Sequence, residues 1–193
     1  MVSLPSPLHL GLRITDEQFW QLCHQHHDLQ FERTAEGELV IMSPTGGLTS
    51  DRNSDINFQL RLWNRNSKLG KVFDSSGGFK LPNGADRSPD AAWVELSRWN
   101  SLTRQQQERF VPLCPDFVIE LRAPSDALKN IQNKMQEYLD NGAKLGWLID
   151  PKRQVVEIYR SSKEVEILRS PNTIFGEDVL PGFSLDLTEI FNE

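Results

Sequence analysis

The segment that most constrains the fold covers residues 115–126 and reads PDFVIELRAPSD. Its apolar residues suit a buried β-strand, in which alternate side chains face opposite ways. Phe117 and Ile119 then share one face, and Val118 and Glu120 share the other. Moving a carboxylate into such a strand is costly unless a partner neutralises or coordinates it. The sequence therefore predicts a cationic partner for Glu120.

A second acid, Asp90, opens another apolar run, SPDAAWV, at residues 88–94. Gln132 and Lys134 follow Glu120 on the next predicted helix. Because Mg²⁺ is usually bound by one or two carboxylates plus waters and phosphate oxygens, two acids on neighbouring strands predict a divalent-metal site. The alternative is that Asp90 and Glu120 are strand-end acids in ordinary ion pairs.

The net charge of −6 argues against nucleic acid as a partner, but the charge is uneven. Positions 51 to 71 contain five basic residues and only two acidic ones. Phosphate contacts need only a local basic face, so nucleic-acid binding stays possible, as does a simple solvated helix surface. The basic residues are Arg52, Arg61, Arg65, Lys68 and Lys71.

The helix predicted over about residues 49–68 carries a broad apolar face. Asp55 falls at its border, which makes it either a candidate site residue or a rim residue in an ion pair. The loop before this helix offers a possible phosphate site at the helix N-terminus. The predicted buried stripe contains Ile56, Leu60 and Trp63, and is widened by Phe58 and Leu62.

Other segments complete an α/β pattern that we interpret as one domain over residues 1–193. Thr15 and Gln18 form a capping box that starts a helix, and Gly37 supplies the turn of a hairpin. The predicted hairpin strands are residues 29–33 and 38–42, and later strands are 91–96, 145–150 and 155–160. A helix covers 127–141, capped by the segment Ala123–Asp126 and ended by Gly142.

Lys134 and Arg122 compete for the role of the cation beside the acids. A guanidinium stays protonated, so Arg122 can pair with phosphate or with Glu120 but cannot act as a base. Lys134 lies at the edge of the buried stripe of its helix, where burial is expected to lower its pKa. The alternative is that the Lys134 side chain extends from this edge into solvent.

The order of these elements resembles the PD-(D/E)XK nuclease superfamily, to which restriction endonucleases belong. Over residues 39–191, several phrases are similar to a large bacterial family of restriction endonuclease-like proteins. Position 122, where the superfamily pattern places lysine, is Arg122 here, and in families of this kind the lysine has moved to the following helix. The phrases are SPTGG, SPDAAWV, PDFVIELRAPSD, KMQEYLDNGAKLGWLIDP, VEIYR and LPGFSLDL.

This resemblance implies a restriction endonuclease-like core, a central mixed β-sheet flanked by helices, with an N-terminal helix and β-hairpin. It implies that Mg²⁺ or Mn²⁺ binds at Asp90, Glu120, the Leu121 carbonyl and Asp55, with Lys134 as the catalytic lysine. DNA is the implied substrate and a homodimer the implied assembly. We expect the substrate to contact Arg122, Arg52 and Gln132.

Three functions remain open at this point. The first is a metal-dependent endodeoxyribonuclease, and the second is a catalytically silent protein of the same fold that binds nucleic acid or a protein partner. The third is a hydrolase of small phosphoesters, which needs no basic face. The complete set of Asp55, Asp90, Glu120 and Lys134 favours the first, since a silent member has usually lost one of them.

The compartment is predicted from composition. Cys23 and Cys114 provide neither a disulfide framework nor the spacing of zinc ligands. Residues 1–12 lack the basic start and long apolar centre of a signal peptide. The sequence therefore predicts a cytoplasmic protein.

Overall fold

The computed structural model describes residues 7–26, 28–42 and 44–192. The first six residues, part of the segment considered for a signal peptide, and Ser43 of the SPTGG phrase lie outside the described residues. The strands are β1 (Leu8–Leu10), β2 (Gln30–Arg33), β3 (Leu39–Met42), β4 (Gly70–Asp74), β5 (Phe79–Lys80), β6 (Asp86–Arg87), β7 (Ala91–Glu95), β8 (Phe117–Leu121), β9 (Leu145–Asp150), β10 (Val155–Arg160), β11 (Glu166–Arg169), β12 (Thr173–Phe175) and β13 (Ser184–Asp186). The α-helices are α1 (Asp16–Gln25), α2 (Gly47–Ser67), α3 (Leu96–Asn100), α4 (Arg104–Glu108), α5 (Leu128–Asp140) and α6 (Thr188–Phe191).

The main sheet has six strands in the order β11-β10-β9-β8-β7-β4. Strands β8 and β9 run parallel and the other neighbours are antiparallel, so the sheet is mixed, as predicted. The parallel connection from β8 to β9 contains α5, which therefore lies against the strand that carries Glu120.

A second sheet has the order β1-β3-β2-β6-β5. It contains the predicted hairpin of β2 and β3, which is confirmed, with Gly37 in its turn at φ 89°. Strand β2 also pairs with β6 through Arg33 and Asp86. This pairing brings β2 beside the chain just before Asp90, a neighbour that the sequence did not predict.

Strand β8 is buried along its whole length, and its side chains alternate as predicted. Phe117, Ile119 and Leu121 belong to the hydrophobic cluster that includes the inner residues of α2. Val118 belongs to the cluster on the opposite face, together with Met135 of α5. Glu120 therefore faces α5, and its partner must come from that side of the sheet.

Helix α2 confirms half of the predicted apolar face. Ile56 and Leu60 are fully buried, but Phe58 is 63% exposed and Leu62 is 48% exposed. The prediction that Phe58 and Leu62 widen the buried stripe is wrong. A helix that packs on one sheet buries only one stripe of side chains. In α2, Ile56 and Leu60 are the residues that pack on the main sheet.

The helix ends agree with the sequence except at one cap. Thr15 and Gln18 make both hydrogen bonds of the predicted capping box, and Gly142 follows α5 at φ 107°. Asp126 does not cap α5, because its side chain accepts from the Ala123 N–H at 2.9 Å instead. Within the described ranges, every helix is too short or too polar to cross a membrane.

Candidate active site

Glu120 meets its predicted cation on α5. The Lys134 ammonium lies 2.9 Å from the Glu120 carboxylate and 2.8 Å from that of Glu32. The Tyr138 hydroxyl donates to the same Glu120 oxygen at 2.9 Å. Lys134 and Tyr138 are four positions apart and so lie on one side of the helix, which lets both reach Glu120.

Glu32, from the middle of β2, is 3% exposed and is held by several donors. Besides Lys134, it accepts from the Arg87 guanidinium and from the Ser88 N–H, both at 3.0 Å. Arg87 in turn donates to Glu137 of α5 at 2.6 Å. The second sheet thus contributes the Glu32 carboxylate to the site. Arg87 links this sheet to α5, because it donates to both Glu32 and Glu137.

Asp90 immediately precedes β7 and lies opposite Glu120, because Ala91 pairs with Ile119 in an antiparallel register. Its carboxylate accepts from the Leu121 N–H at 2.8 Å and from the Asn53 side-chain amide at 2.9 Å. These bonds fix the orientation of Asp90 between β8 and the start of α2.

The charged residues line one cavity of about 830 Å³. Its walls come from the β2–β3 hairpin, the start of α2, the loop after β8 and the first turns of α5. Five carboxylates and two basic side chains face it, so the lining carries three excess negative charges when all are ionised. These residues are Glu32, Asp90, Glu120, Asp126, Glu137, Arg87 and Lys134.

Burial raises the pKa of Glu120 to about 7. Lys134 opposes this shift, while the negative charges of Asp90 and Glu32 add to it. Burial also raises the pKa of Asp90. For Glu32, burial is outweighed by the positive charges of Lys134 and Arg87, which lower its pKa. Asp90 and Glu120 are therefore the two acids whose ionisation is disfavoured in this site.

The pKa of Lys134 is raised, whereas the sequence analysis expected burial to lower it. Burial by itself lowers its pKa, as predicted, but the negative charges of Glu120 and Glu32 outweigh burial and raise it. Its side chain is only 16% exposed and does not extend into solvent. In this arrangement Lys134 is a buried cation, not a neutral amine.

The donor set at Asp90 and Glu120 fits a small divalent cation. Both carboxylates line the cavity, as does Leu121, and carboxylate and carbonyl oxygens are the ligands that Mg²⁺ prefers. Among the described residues, no group of three or more acidic, histidine or cysteine side chains is arranged to hold a metal. The fit is therefore to a cation that keeps several waters and takes two protein carboxylates.

Asp55 does not join these residues. Asn53 faces Asp90, and Asp55, two positions further along α2, points about 200° away around the helix axis. Its carboxylate accepts from the Gln59 side chain at 2.8 Å, and Gln59 also holds the Asp186 backbone. The position expected for an acid on the first core helix is thus taken by an amide, Asn53.

The expected substrate-binding residues lie outside the cavity lining. Arg122 donates to Asp150 at 2.7 Å and to the Asp126 carbonyl at 3.1 Å. Gln132 donates to Glu157 at 2.9 Å, and Arg52 to the Asn192 carbonyl at 2.9 Å. Each side chain is engaged in a contact within the fold, because its element turns it away from the acids.

The structure adds residues that the sequence analysis missed. Glu32 lies in a predicted strand, Arg87 lies between predicted elements, and Asn53 and Tyr138 lie within predicted helices. Glu32 could have been identified from the sequence, because a carboxylate inside a predicted strand has the same desolvation cost that identified Glu120. Arg87 could not, because its role depends on the pairing of β2 with β6.

A mixed sheet with opposed carboxylates on adjacent strands and a lysine from the next helix defines a restriction endonuclease-like nuclease fold. The sequence model of the Uma2 family, described as "Putative restriction endonuclease", matches residues 16–188, and the chain belongs to this family. A search of the curated proteins gives no significant match.

A solved structure shares the fold. It is a crystal structure described as "a putative nuclease" from Anabaena variabilis ATCC 29413, with a TM-score of 0.70. The alignment covers 83% of this chain and 89% of that chain, at 19% sequence identity. The two chains therefore have the same fold although few of their aligned residues are identical.

Proposed function

We propose that this protein is an endonuclease that hydrolyses phosphodiester bonds of DNA with the help of Mg²⁺ or Mn²⁺. The observation that carries the proposal is the joint placement of Asp90, Glu120 and Lys134 in one cavity. Membership of the Uma2 family supports nuclease chemistry, and the excess negative charge supports a cation.

Asp90, Glu120 and the Leu121 carbonyl are the groups that would hold the metal. When bound, a divalent cation stabilises the charge that develops on the phosphate and lowers the pKa of a water. Asn53 and the Leu121 N–H orient Asp90, and Tyr138 orients Glu120. These hydrogen bonds set the two carboxylates before the metal binds.

Lys134 would act as a fixed positive charge. Glu32 and Glu120 hold its ammonium group at the cavity wall, where its remaining N–H can donate to the attacking water or to a phosphate oxygen. These carboxylates raise its pKa, so we assign Lys134 the role of a proton donor, and a carboxylate or a phosphate oxygen would accept the proton of the attacking water. A homodimer, with one site for each DNA strand, is the expected assembly.

Calorimetry with Mn²⁺, combined with a plasmid-cleavage assay, tests the proposal. Asp90→Asn and Glu120→Gln should each abolish Mn²⁺ binding and cleavage, whereas Asp55→Asn should keep Mn²⁺ binding. Binding that survives in either of the first two variants would contradict the site. Loss of binding in Asp55→Asn would restore the ligand set expected from the sequence, and Mn²⁺ binding without cleavage would indicate a silent binding protein.

A further inference from the structure

The outer face of α2 carries a regular set of residues that are exposed except for Asp55, which is half-buried and accepts a hydrogen bond from Gln59. Asp51, Asp55, Phe58, Leu62 and Arg65 follow one another at spacings of four, three, four and three. On an α-helix this spacing keeps all five on one side, as in the seam of a coiled coil. Phe58 and Leu62, at the centre, are 63% and 48% exposed.

No described element covers this face. The opposite side of α2 is buried through Ile56 and Leu60. Gln59 holds the backbone of β13 on one flank, and Arg61 donates to the Val72 carbonyl of β4 on the other at 2.9 Å. The strip between these two contacts therefore points away from the rest of the described chain.

The charges along this face are arranged for pairing with a copy of itself. The acids Asp51 and Asp55 lie on the N-terminal side of Phe58 and Leu62, and Arg65 lies on the C-terminal side. In an antiparallel pair centred between Phe58 and Leu62, each phenylalanine packs on the leucine of the other copy. The same symmetry brings Asp55 of each copy opposite Arg65 of the other.

Arg65 is available for this contact. It is exposed, and its side chain makes no hydrogen bond or ion pair with the described residues. Asp51 is exposed as well. A parallel pairing would oppose like charges, so the charge pattern selects the antiparallel one.

We propose that the outer face of α2 is a homodimer interface in which two copies pack antiparallel. This inference goes beyond the proposed nuclease activity and does not depend on it. Asn53, which orients Asp90, points away from this face. Pairing through the outer face therefore leaves both candidate active sites uncovered.

Sedimentation velocity of the full chain, measured over a range of micromolar concentrations, tests the interface by charge reversal. The wild type should dimerise. Asp55→Arg and Arg65→Asp should each weaken dimerisation at least about tenfold, because each opposes like charges twice in the symmetric pair. An equal mixture of these two variants should recover dimers, since the introduced arginine of one variant then faces the introduced aspartate of the other.

Arg104→Glu reverses an exposed charge of α4 and is the matched control, expected to dimerise like the wild type. Phe58→Asp should be monomeric, with the circular dichroism of the wild type. A wild type that stays monomeric throughout would overturn the proposal. So would single charge reversals that leave the dimer intact, or a mixture of the two variants that remains monomeric.

Discussion

Lys134 and Glu120 are joined by a 2.9 Å ion pair that links α5 to the central strand β8. The pair is buried, and a second carboxylate, Glu32, holds the lysine from the other sheet. A buried cation held by two acids cannot easily move or lose its proton. This relationship connects the fold to the proposed chemistry and gives the site its testable properties.

Lys134→Met should lower cleavage by about 100-fold or more, because it removes the fixed charge proposed to stabilise the transition state. Mn²⁺ binding should remain, since Asp90 and Glu120 are unchanged. Single-turnover cleavage and calorimetry measure the two effects separately. Lys129→Met, at an exposed position of the same helix, is the control and should cleave normally. Full activity in Lys134→Met would refute the assigned role.

Glu32→Gln keeps the shape of the side chain but removes one of the two charges that hold Lys134. We expect the cleavage rate to fall by about tenfold, the loss expected when a catalytic group is less well positioned. Mn²⁺ affinity should change little, because Glu32 is not a proposed ligand. Glu36→Gln, in the exposed turn of the same hairpin, provides the comparison. An equal effect of both substitutions would argue against a specific role for Glu32.

Arg122→Ala should lower the free energy of unfolding. Asp150 is 2% exposed and loses its closest cationic partner in this variant, at a cost of about 1–3 kcal/mol of unfolding free energy. Urea unfolding measures the change. Arg153→Ala, whose guanidinium lies 3.9 Å from Asp150, should cost less. Normal stability with weakened DNA binding would instead support the substrate-binding role expected from the sequence.

The metal-free protein should show a pH dependence that comes from Glu120. Its pKa is about 7 in the folded state, compared with 4.5 for an unperturbed glutamate, so the native state binds the extra proton between these values. Stability then falls as pH rises from about 5 to about 8.

Glu120→Gln removes this titration, so its stability relative to the wild type should increase over the same pH range. Urea unfolding in the presence of EDTA at both ends of the range gives the comparison. A stability difference between the two proteins that does not vary with pH would contradict the shifted pKa.

Local sequence patterns were sufficient for most of the longer elements and for part of the site, but not for short strands such as β1 and β6. The alternation in β8 predicted which face carries Glu120, and the capping box at Thr15 predicted the start of α1. Lys134 was found because its position at the edge of a buried stripe follows from helix periodicity. These features depend on neighbours within a few positions, so they can be read from the sequence without knowledge of the fold.

The remaining features depend on which elements meet in space. Glu32 reaches Lys134 only because β2 pairs with β6, and no local pattern encodes that pairing. The rotation of α2 on the sheet decided that Asn53, not Asp55, faces Asp90, and that Phe58 and Leu62 are exposed. Sequence periodicity determines the relative positions of residues around a helix. The face that is buried is decided by packing against the sheet, which only the tertiary structure provides.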